Sequence, residues 1–234
     1  MQCKNIFTVK PYFKHIYKKI YEEVNFRLKQ FPASGIILEI GSGQHGFIKE
    51  VNNQIVTSDV VKYKNCDLQT NAEHLPFCDE SLSAIVGIQV LHHIHNIRTF
   101  FTEANRTLKK DGGLVLIEPY WSPVSVLLHT HYHPEPFNTH ISYESAISNN
   151  EVNQAVSYIL FKKYRNRFFT EFDSFKLIES KKMPFIEYLA SGGFYRKAFI
   201  CPSLLPVCRF LDKVLSPMKN IFAIHQILVL KKVK

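Results

Sequence analysis

The chain has 234 residues, 46% of them hydrophobic, and a formal net charge of +9. This length and apolar fraction are typical of one folded domain with a substantial core. The five cysteines are scattered and form no Cys-x-x-Cys pair, which argues against a disulfide framework and a structural zinc site. Lysines interrupt the N-terminal residues and no 18-residue apolar run occurs, so neither secretion nor membrane spanning is expected, and the expected compartment is the cytoplasm.

The first half of the chain alternates between predicted helices and strands. Apolar residues recur at three- and four-residue steps over residues 12–30, which predicts a helix that ends before Pro32 and Gly35. The pattern then predicts strands at 36–40, 54–58, 84–88 and 114–117, helices at 44–51 and 96–110, and a turn at Asp111-Gly112-Gly113. This alternation predicts an α/β fold with a mostly parallel sheet, helices on both faces, and a ligand site at the carboxyl ends of the strands.

A glycine-rich turn follows the first predicted strand. Gly41, Gly43 and Gly46 come directly after an apolar run, and Asp59 closes the second predicted strand. Glycines at this spacing let the backbone approach a ligand, and an acid at that position can accept both hydroxyls of a ribose. The segment indicates a nucleoside-binding site, the alternative being an ordinary tight turn.

Glu39 decides which nucleoside is expected. A carboxylate two residues before the first glycine would repel a pyrophosphate, whereas it complements the sulfonium and ammonium of S-adenosylmethionine. The residue therefore favours S-adenosylmethionine over NAD, unless it is only a solvated strand end.

Several further motifs follow in order between residues 36 and 119. They are Ala72–Phe77, Ser81–Val90, Leu91-His92-His93-Ile94 and Leu108–Ile117. Together with the glycine-rich turn, this series resembles class I S-adenosylmethionine-dependent methyltransferases of the type 11 kind. The resemblance implies the Rossmann-like methyltransferase fold and a cofactor site that comprises Glu39, Gly41, Ser42, Gly43, Asp59, Asn71, Ala72 and Gln89.

The resemblance also assigns roles within that site. Glu39, Gly41 and Gly43 would border the methionine end, Asp59 would hold the ribose, and the Asn71-Ala72 pair would flank the adenine. Asn71 stands where the family usually has an aspartate, but its amide oxygen can still accept a hydrogen bond from the adenine amino group.

The predicted organisation is an N-terminal helical cap (1–35), a cofactor-binding core (36–119) and an acceptor-binding region that completes the same domain (120–234). In the last region, strands are predicted at 175–179 and 224–231, with a helix at 204–215 and a loop at Ser191-Gly192-Gly193. A closing antiparallel hairpin is implied by the resemblance. The aromatic and basic segment 158–169 and the apolar stretch 199–211 are both expected to pack in the core, with contact to a membrane surface as the alternative for the latter.

Candidates for an acid-base group lie at strand ends and in one histidine-rich segment. His92, His93 and Glu118 follow predicted strands, and His131 and His133 belong to the segment 129–138. That segment is interpreted as an active-site lid, with a plain surface loop as one alternative. If it were extended, His129, His131 and His133 would share one face and, with Glu135, offer zinc or iron ligands, but the spacing matches no known site and no metal is assigned.

These observations predict a methyltransferase that acts on a small-molecule, saccharide or lipid-linked acceptor, at oxygen. The net positive charge is explained by a solvated basic surface, with an anionic acceptor as the alternative. Two kinds of nucleic-acid methylation are not expected: Ile88-Gln89-Val90 replaces the (Asp/Asn)-Pro-Pro-(Tyr/Phe) motif of adenine amino-methyltransferases, and the chain lacks the Pro-Cys dipeptide that carries the nucleophile of cytosine-C5 enzymes. Methylation of a ribose or an RNA base stays an alternative, but no separate RNA-binding module is visible, so a nucleic-acid acceptor is not the expected one. The alternatives are an NAD(P)-dependent Rossmann oxidoreductase and a methyltransferase fold that binds without turnover.

Overall fold

The structure is a computed structural model that describes residues 11–44, 47–148, 151–183, 186–192 and 201–234. Residues 1–10 of the predicted N-terminal cap, His45 and Gly46 of the glycine-rich segment, Gly193 of the predicted loop, and Phe199 and Ile200 of the late apolar stretch lie outside these ranges.

A seven-stranded sheet forms the centre of the molecule, in the order β3-β2-β1-β4-β5-β7-β6. The first five strands in this order are parallel, and β7 pairs antiparallel with both β5 and β6, as the predicted closing hairpin requires. The strands are β1 (Ile36–Ile40), β2 (Val56–Asp59), β3 (Leu68–Gln69), β4 (Leu82–Ile88), β5 (Leu108–Pro119), β6 (Phe175–Lys182) and β7 (His225–Lys232).

The α-helices are α1 (Pro11–Leu28), α2 (Ile97–Thr107), α3 (Pro123–Tyr132), α4 (Tyr143–Ser148), α5 (Val156–Tyr158), α6 (Arg165–Glu171), α7 (Ile186–Ala190), α8 (Leu205–Val214) and α9 (Lys219–Phe222). Short 3₁₀ turns occur at Phe47–Glu50, Leu91–His93, Pro202–Leu204 and Ser216–Met218, and a π-helical turn at Ile159–Lys163 joins α5 to α6.

Two hydrophobic clusters cover the two faces of the sheet, because successive side chains of a strand point to opposite sides. On β5, Leu114 and Leu116 join the cluster with α2 and the aromatic rings of α6, while Val115 and Ile117 join the cluster with α1. The α/β fold with helices on both faces is therefore confirmed. Phe161 and Phe168 are buried in the first cluster, which also confirms core packing for the aromatic and basic segment 158–169.

Some local predictions were wrong. The helix at 44–51 is only the turn Phe47–Glu50 in the described part, and the turn at Asp111–Gly113 is an irregularity inside β5, where Asp111 has a φ of 65° and the register with β4 shifts. The segment 129–138 is not extended at its start, because α3 continues to Tyr132.

The apolar stretch predicted to pack in the core is largely exposed where the structure describes it. Within α8, Cys208 is buried, but Val207, Phe210 and Leu211 have exposed fractions of 51%, 64% and 39%. None of the helices in the described ranges is both long and apolar enough to cross a membrane.

Candidate active site

A cavity of about 1050 Å³ opens at the carboxyl ends of the parallel strands. It lies where β1 and β4 are neighbours and the chain leaves them for opposite sides of the sheet, the position at which open α/β sheets bind ligands. The predicted cofactor residues all line this cavity: Glu39, Gly41, Ser42, Gly43, Asp59, Asn71, Ala72 and Gln89.

The turn after β1 depends on its glycines. Gly41 and Gly43 have φ values of +65° and +61°, a region that side chains other than glycine rarely adopt. A Cβ on Gly41 would lie 2.5 Å from Cγ2 of Val90, whereas a Cβ on Gly43 would meet no atom within 4 Å. Gly41 therefore packs against Val90, while Gly43 leaves open space beside the cavity.

Asp59 at the end of β2 fixes the same turn. One carboxyl oxygen accepts a hydrogen bond from the Gly43 N–H over 2.9 Å, and the other accepts one from the Val61 N–H over 2.9 Å. These bonds hold the Asp59 carboxyl group at the wall of the cavity.

Glu39 lies at the base of the cavity and is only 1% exposed, so the interpretation as a solvated strand end is wrong. Burial raises the pKa of its carboxyl group to about 7, while hydrogen bonds from the Ser42 and Tyr21 side chains oppose the rise. Its Oε2 atom is buried and has no hydrogen-bond partner among the described residues. A buried acceptor of this kind is costly unless a ligand satisfies it.

Asn71 and Gln89 line the cavity next to this turn. The Asn71 Oδ1 atom accepts a hydrogen bond of 2.9 Å from the Glu73 N–H, which stabilises a local turn. Gln89 has a φ of 57°, and its N–H donates to the Ile117 carbonyl over 2.7 Å, so the chain turns sharply between β4 and the Leu91–His93 turn.

Glu118 at the end of β5 organises the histidine pair that follows β4. It is 1% exposed and accepts hydrogen bonds from the N–H groups of Val90 and Leu91 and from Nδ1 of His92, over 3.0, 2.8 and 2.9 Å. Because Nδ1 of His92 donates to Glu118, its Nε2 carries the lone pair, and that atom accepts from the Gln154 amide over 3.0 Å.

Glu135 connects this pair to the segment after α3. Its Oε2 accepts a hydrogen bond from the Gln154 amide and lies 3.7 Å from Nε2 of His92, and its Oε1 lies 3.8 Å from Nε2 of His93. His92, His93 and Glu135 are close enough to hold a metal ion, with all ligand atoms within 4.8 Å of one another. The Gln154 side-chain amide donates to two of these three groups, His92 and Glu135, so they are already linked by hydrogen bonds.

Four imidazoles of the cavity wall have lowered pKa values. Burial lowers the pKa of His129 to about 4 and that of His225 to about 3, and it also lowers the pKa values of His93 and His133. Repulsion between the neighbouring rings adds to the effect. These rings are therefore neutral at pH 7.

The histidines of the segment 129–138 divide into two groups. His129 and His133 line the cavity, one helical turn apart, with ring centroids 5.2 Å apart. His131 lies on the exposed side of α3, where its Nδ1 pairs with the Leu127 carbonyl over 3.0 Å, and it does not line the cavity. The helix separates residues that an extended segment would bring to one face, so the proposed set of three alternate histidines does not form.

Sequence reasoning missed several residues of the cavity wall. Gln154 and His225 carried no motif, and the approach of Glu135 to His92 depends on packing between distant segments. Tyr17 and Tyr21 reach the cavity from α1. Their positions on the buried face of a predicted helix were the available signal.

Known proteins resemble this chain in sequence and in structure. A family model described as a methyltransferase domain matches residues 12–156. The human "probable tRNA methyltransferase 9B" is 29% identical over 120 residues, which cover 45% of this chain and 26% of that protein. The chain thus spans about a quarter of the length of this relative.

Solved methyltransferase structures share the fold. Geranyl diphosphate C-methyltransferase from Streptomyces coelicolor, solved with S-adenosyl-L-homocysteine, has a TM-score of 0.56 and 12% identity, covering 94% of this chain and 80% of its own. A SAM-dependent methyltransferase from Archaeoglobus fulgidus has a TM-score of 0.54 and 13% identity, covering 92% and 93%. The chain therefore belongs to the class I S-adenosylmethionine-dependent methyltransferases, as its motif series predicts, and its cofactor is S-adenosylmethionine rather than a dinucleotide.

Proposed function

We propose that this enzyme transfers a methyl group to a hydroxyl oxygen of a small-molecule, saccharide or lipid-linked acceptor. One observation carries the proposal. Two residues of the cavity wall each carry a buried acceptor atom that has no hydrogen-bond partner among the described residues, namely Oε2 of Glu39 and Oε1 of Gln154. A donor on a ligand would satisfy each atom, and the two residues belong to different parts of the cavity wall.

The first of these atoms fits the cofactor. Glu39 would face the cationic methionine end, Gly41, Ser42 and Gly43 would border it, and Asp59 would bind the ribose hydroxyls. Asn71 and Ala72 would flank the adenine, with Gln89 at the wall. When bound, S-adenosylmethionine supplies a methyl group on a positively charged sulfur, which a nucleophile can displace.

The second atom fits an acceptor that carries hydroxyl groups. A hydroxyl that donates to Oε1 of Gln154 would lie beside His92 and Glu135, because the Gln154 amide bonds to both. The cavity volume of about 1050 Å³ exceeds the range of about 300–1000 Å³ that one ligand usually fills, which leaves room for cofactor and acceptor together.

The charges of the cavity wall favour a neutral acceptor group. Its wall includes Glu39, Asp59, Glu73 and Glu135, but no lysine or arginine among the described residues. The basic residues that give the net charge of +9 therefore lie elsewhere, and an anionic part of the acceptor would remain outside the cavity.

His93 is the best candidate for the base. Its side chain is 46% exposed and lines the cavity, its lowered pKa keeps the imidazole neutral, and Oε1 of Glu135 at 3.8 Å can stabilise the imidazolium once the proton is taken. The carboxyl group of Glu118 is buried and already accepts three hydrogen bonds, so its role is to position His92. His133 stays a candidate, since it lines the cavity, whereas His131 does not.

The test is methyl transfer from labelled S-adenosylmethionine to separate pools of polar metabolites, lipids with their saccharides, and RNA. We expect label in a hydroxyl-bearing molecule of the first two pools, and loss of about 100-fold in rate for His93→Gln with little change for the matched control His131→Gln. Full turnover of His93→Gln would remove His93 as the base. Cofactor binding without transfer to any pool would favour the fold that binds without turnover.

RNA is the second candidate acceptor. The similarity to the human probable tRNA methyltransferase 9B favours it, and so does the basic surface. An acidic cavity wall can accept an uncharged base while the phosphates stay outside. Label that appears only in the RNA pool would establish this candidate and overturn the hydroxyl acceptor proposed above.

A further inference from the structure

Helix α8 turns an apolar face to solvent. Val207, Phe210, Leu211 and Val214 stand at positions i, i+3, i+4 and i+7, so they share one side of the helix. Their exposed fractions are 51%, 64%, 39% and 54%. We call these four residues the α8 stripe.

The opposite side of α8 attaches to the protein through polar contacts. The Asp212 carboxyl group accepts hydrogen bonds from the N–H groups of Ile186 and Glu187 at the start of α7, over 3.0 and 3.1 Å. Nε of Arg209 donates to Glu187 over 3.2 Å, and Cys208 is buried between these contacts. The same side carries Leu205, which packs against the hydrophobic cluster that contains α1. A surface helix normally exposes a polar side, whereas α8 carries apolar residues on both sides.

The apolar surface continues beyond α8. Leu204 before it, and Met218 and Ile221 after it, have exposed fractions of 47%, 42% and 43%. Helix α9 packs against α3, on which Leu127 and Tyr132 are 55% and 56% exposed. Exposed apolar side chains that group together in this way are often a contact site.

The charge of the surrounding segment indicates what covers this surface. Residues 201–234 contain six lysines and arginines but a single acid, Asp212. Four of the six pair with acids of other segments, namely Arg209, Lys231, Lys232 and Lys234. Lys213 and Lys219, which lie in α8 and α9, form no ion pair among the described residues. The carboxyl group of Asp212 is engaged at the start of α7, so the exposed Lys213 in α8 faces no neutralising acid from this segment. Apolar side chains flanked by lysines fit the interface of a membrane with anionic lipids.

The area of the stripe is small for a protein interface. A helix of ten residues is about 15 Å long and 10 Å wide, so one face of α8 offers an apolar area of roughly 150 Å². The neighbouring exposed residues increase this area to about twice that value. A stable interface needs about 800 Å² on each partner. A bilayer accepts a single helix lying in its surface without such a requirement.

We propose that α8 docks on an anionic bilayer, with the α8 stripe among the lipid headgroups and acyl chains. The cavity is next to this surface, since α7 brings Tyr188 and Leu189 to its wall and α3 brings Leu128 and Tyr132. If the proposed function holds, this placement would present a lipid-carried acceptor to the cavity. The docking itself does not depend on methyl transfer.

The test is sedimentation of the full chain with vesicles of phosphatidylglycerol and phosphatidylcholine in equal parts, and with phosphatidylcholine alone. We expect binding to the first, weaker binding to the second, and partial release by salt. Phe210→Ser combined with Val214→Ser should weaken binding by about tenfold or more. The matched control is Phe26→Ser, which removes a side chain of α1 that is 68% exposed and should leave binding unchanged.

Three outcomes would overturn the proposal: no vesicle binding by the unchanged chain, equal loss with Phe26→Ser, or self-association that the double substitution abolishes, which would make the stripe a dimer contact. Thermal stabilisation by S-adenosylhomocysteine verifies that each variant is folded. Vesicle binding is measured without cofactor and methyl transfer without vesicles, so failure of one proposal is distinguishable from failure of the other.

Discussion

Nδ1 of His92 donates to Oε2 of Glu118 over 2.9 Å, and this bond directs the Nε2 lone pair of His92 toward Gln154. The two residues are 26 positions apart and come from the ends of adjacent parallel strands, β4 and β5. Since Glu118 also accepts from two backbone N–H groups of the turn that carries His92, one buried carboxyl group fixes both the backbone and the ring.

Glu118→Gln tests this relationship. The amide replaces an acceptor oxygen with a donor, so one of the three donors around it loses its partner and meets another N–H. We expect a loss of about 2 kcal/mol in the free energy of unfolding and a larger loss of turnover than of cofactor binding. Chemical denaturation and cofactor titration measure these quantities. Unchanged stability would contradict the assignment of Glu118 as a positioning residue.

The cofactor half of the site could be predicted because its signals are local. The strand, the glycines and Asp59 lie within a short segment, and the carboxyl ends of parallel strands must meet at one edge. Gln154 could not be found in this way, because its bond to His92 joins residues 62 positions apart and depends on how α5 packs. His225 reaches the wall for a similar reason, through the antiparallel pairing of β7.

The prediction for the histidine-rich segment 129–138 was wrong for a different reason. Alternate histidines favoured an extended interpretation, but Ser122 and Pro123 are a helix-start signal that stood in the sequence. The Ser122 side chain accepts from the Ser125 N–H over 3.0 Å, and Pro123 is the first residue of α3. The capping residues were better evidence than the spacing of the histidines.

Gly41 and Gly43 differ in a way that substitution can measure. Gly41→Ala adds a Cβ at a φ of +65° and 2.5 Å from Cγ2 of Val90, and we expect a loss of about 3 kcal/mol or more in unfolding free energy. Gly43→Ala has the same backbone strain without the clash, so its loss should be about 1–2 kcal/mol. Urea denaturation compares the two variants. Equal losses would mean that packing against Val90 contributes little.

The buried imidazoles predict that the free energy of unfolding decreases as the pH falls. The pKa of His129 is about 4 and that of His225 about 3, below the ordinary value of 6.5, so the unfolded chain binds protons that the folded chain does not. Their contribution is present above pH 6.5 and is lost as pH falls toward those values. Between pH 7 and pH 5, each of the two histidines should lower the free energy of unfolding by about 2 kcal/mol.

Urea denaturation of His129→Gln at pH 7 and pH 5 checks this contribution. The variant should lose less stability between the two pH values than the unchanged chain does, because glutamine does not titrate. His131→Gln is the control, since His131 lies on the exposed side of α3 and its replacement should leave the difference as it was. An identical difference in all three proteins would show that His129 does not resist protonation.

Glu39 makes the opposite prediction for stability and couples it to cofactor binding. Its pKa is raised from 4.5 to about 7, so its contribution to stability is present below pH 4.5 and is lost as pH rises through 7, by about 3 kcal/mol in all. A cation placed against the carboxyl group favours the charged form and lowers that pKa. Affinity for S-adenosylmethionine should therefore increase from pH 6 to pH 8, with release of a proton on binding. Calorimetric titration in buffers of different ionisation enthalpy measures both effects. Glu39→Gln should bind more weakly and without this pH dependence, whereas a pH dependence that survives the substitution would assign the proton to another group.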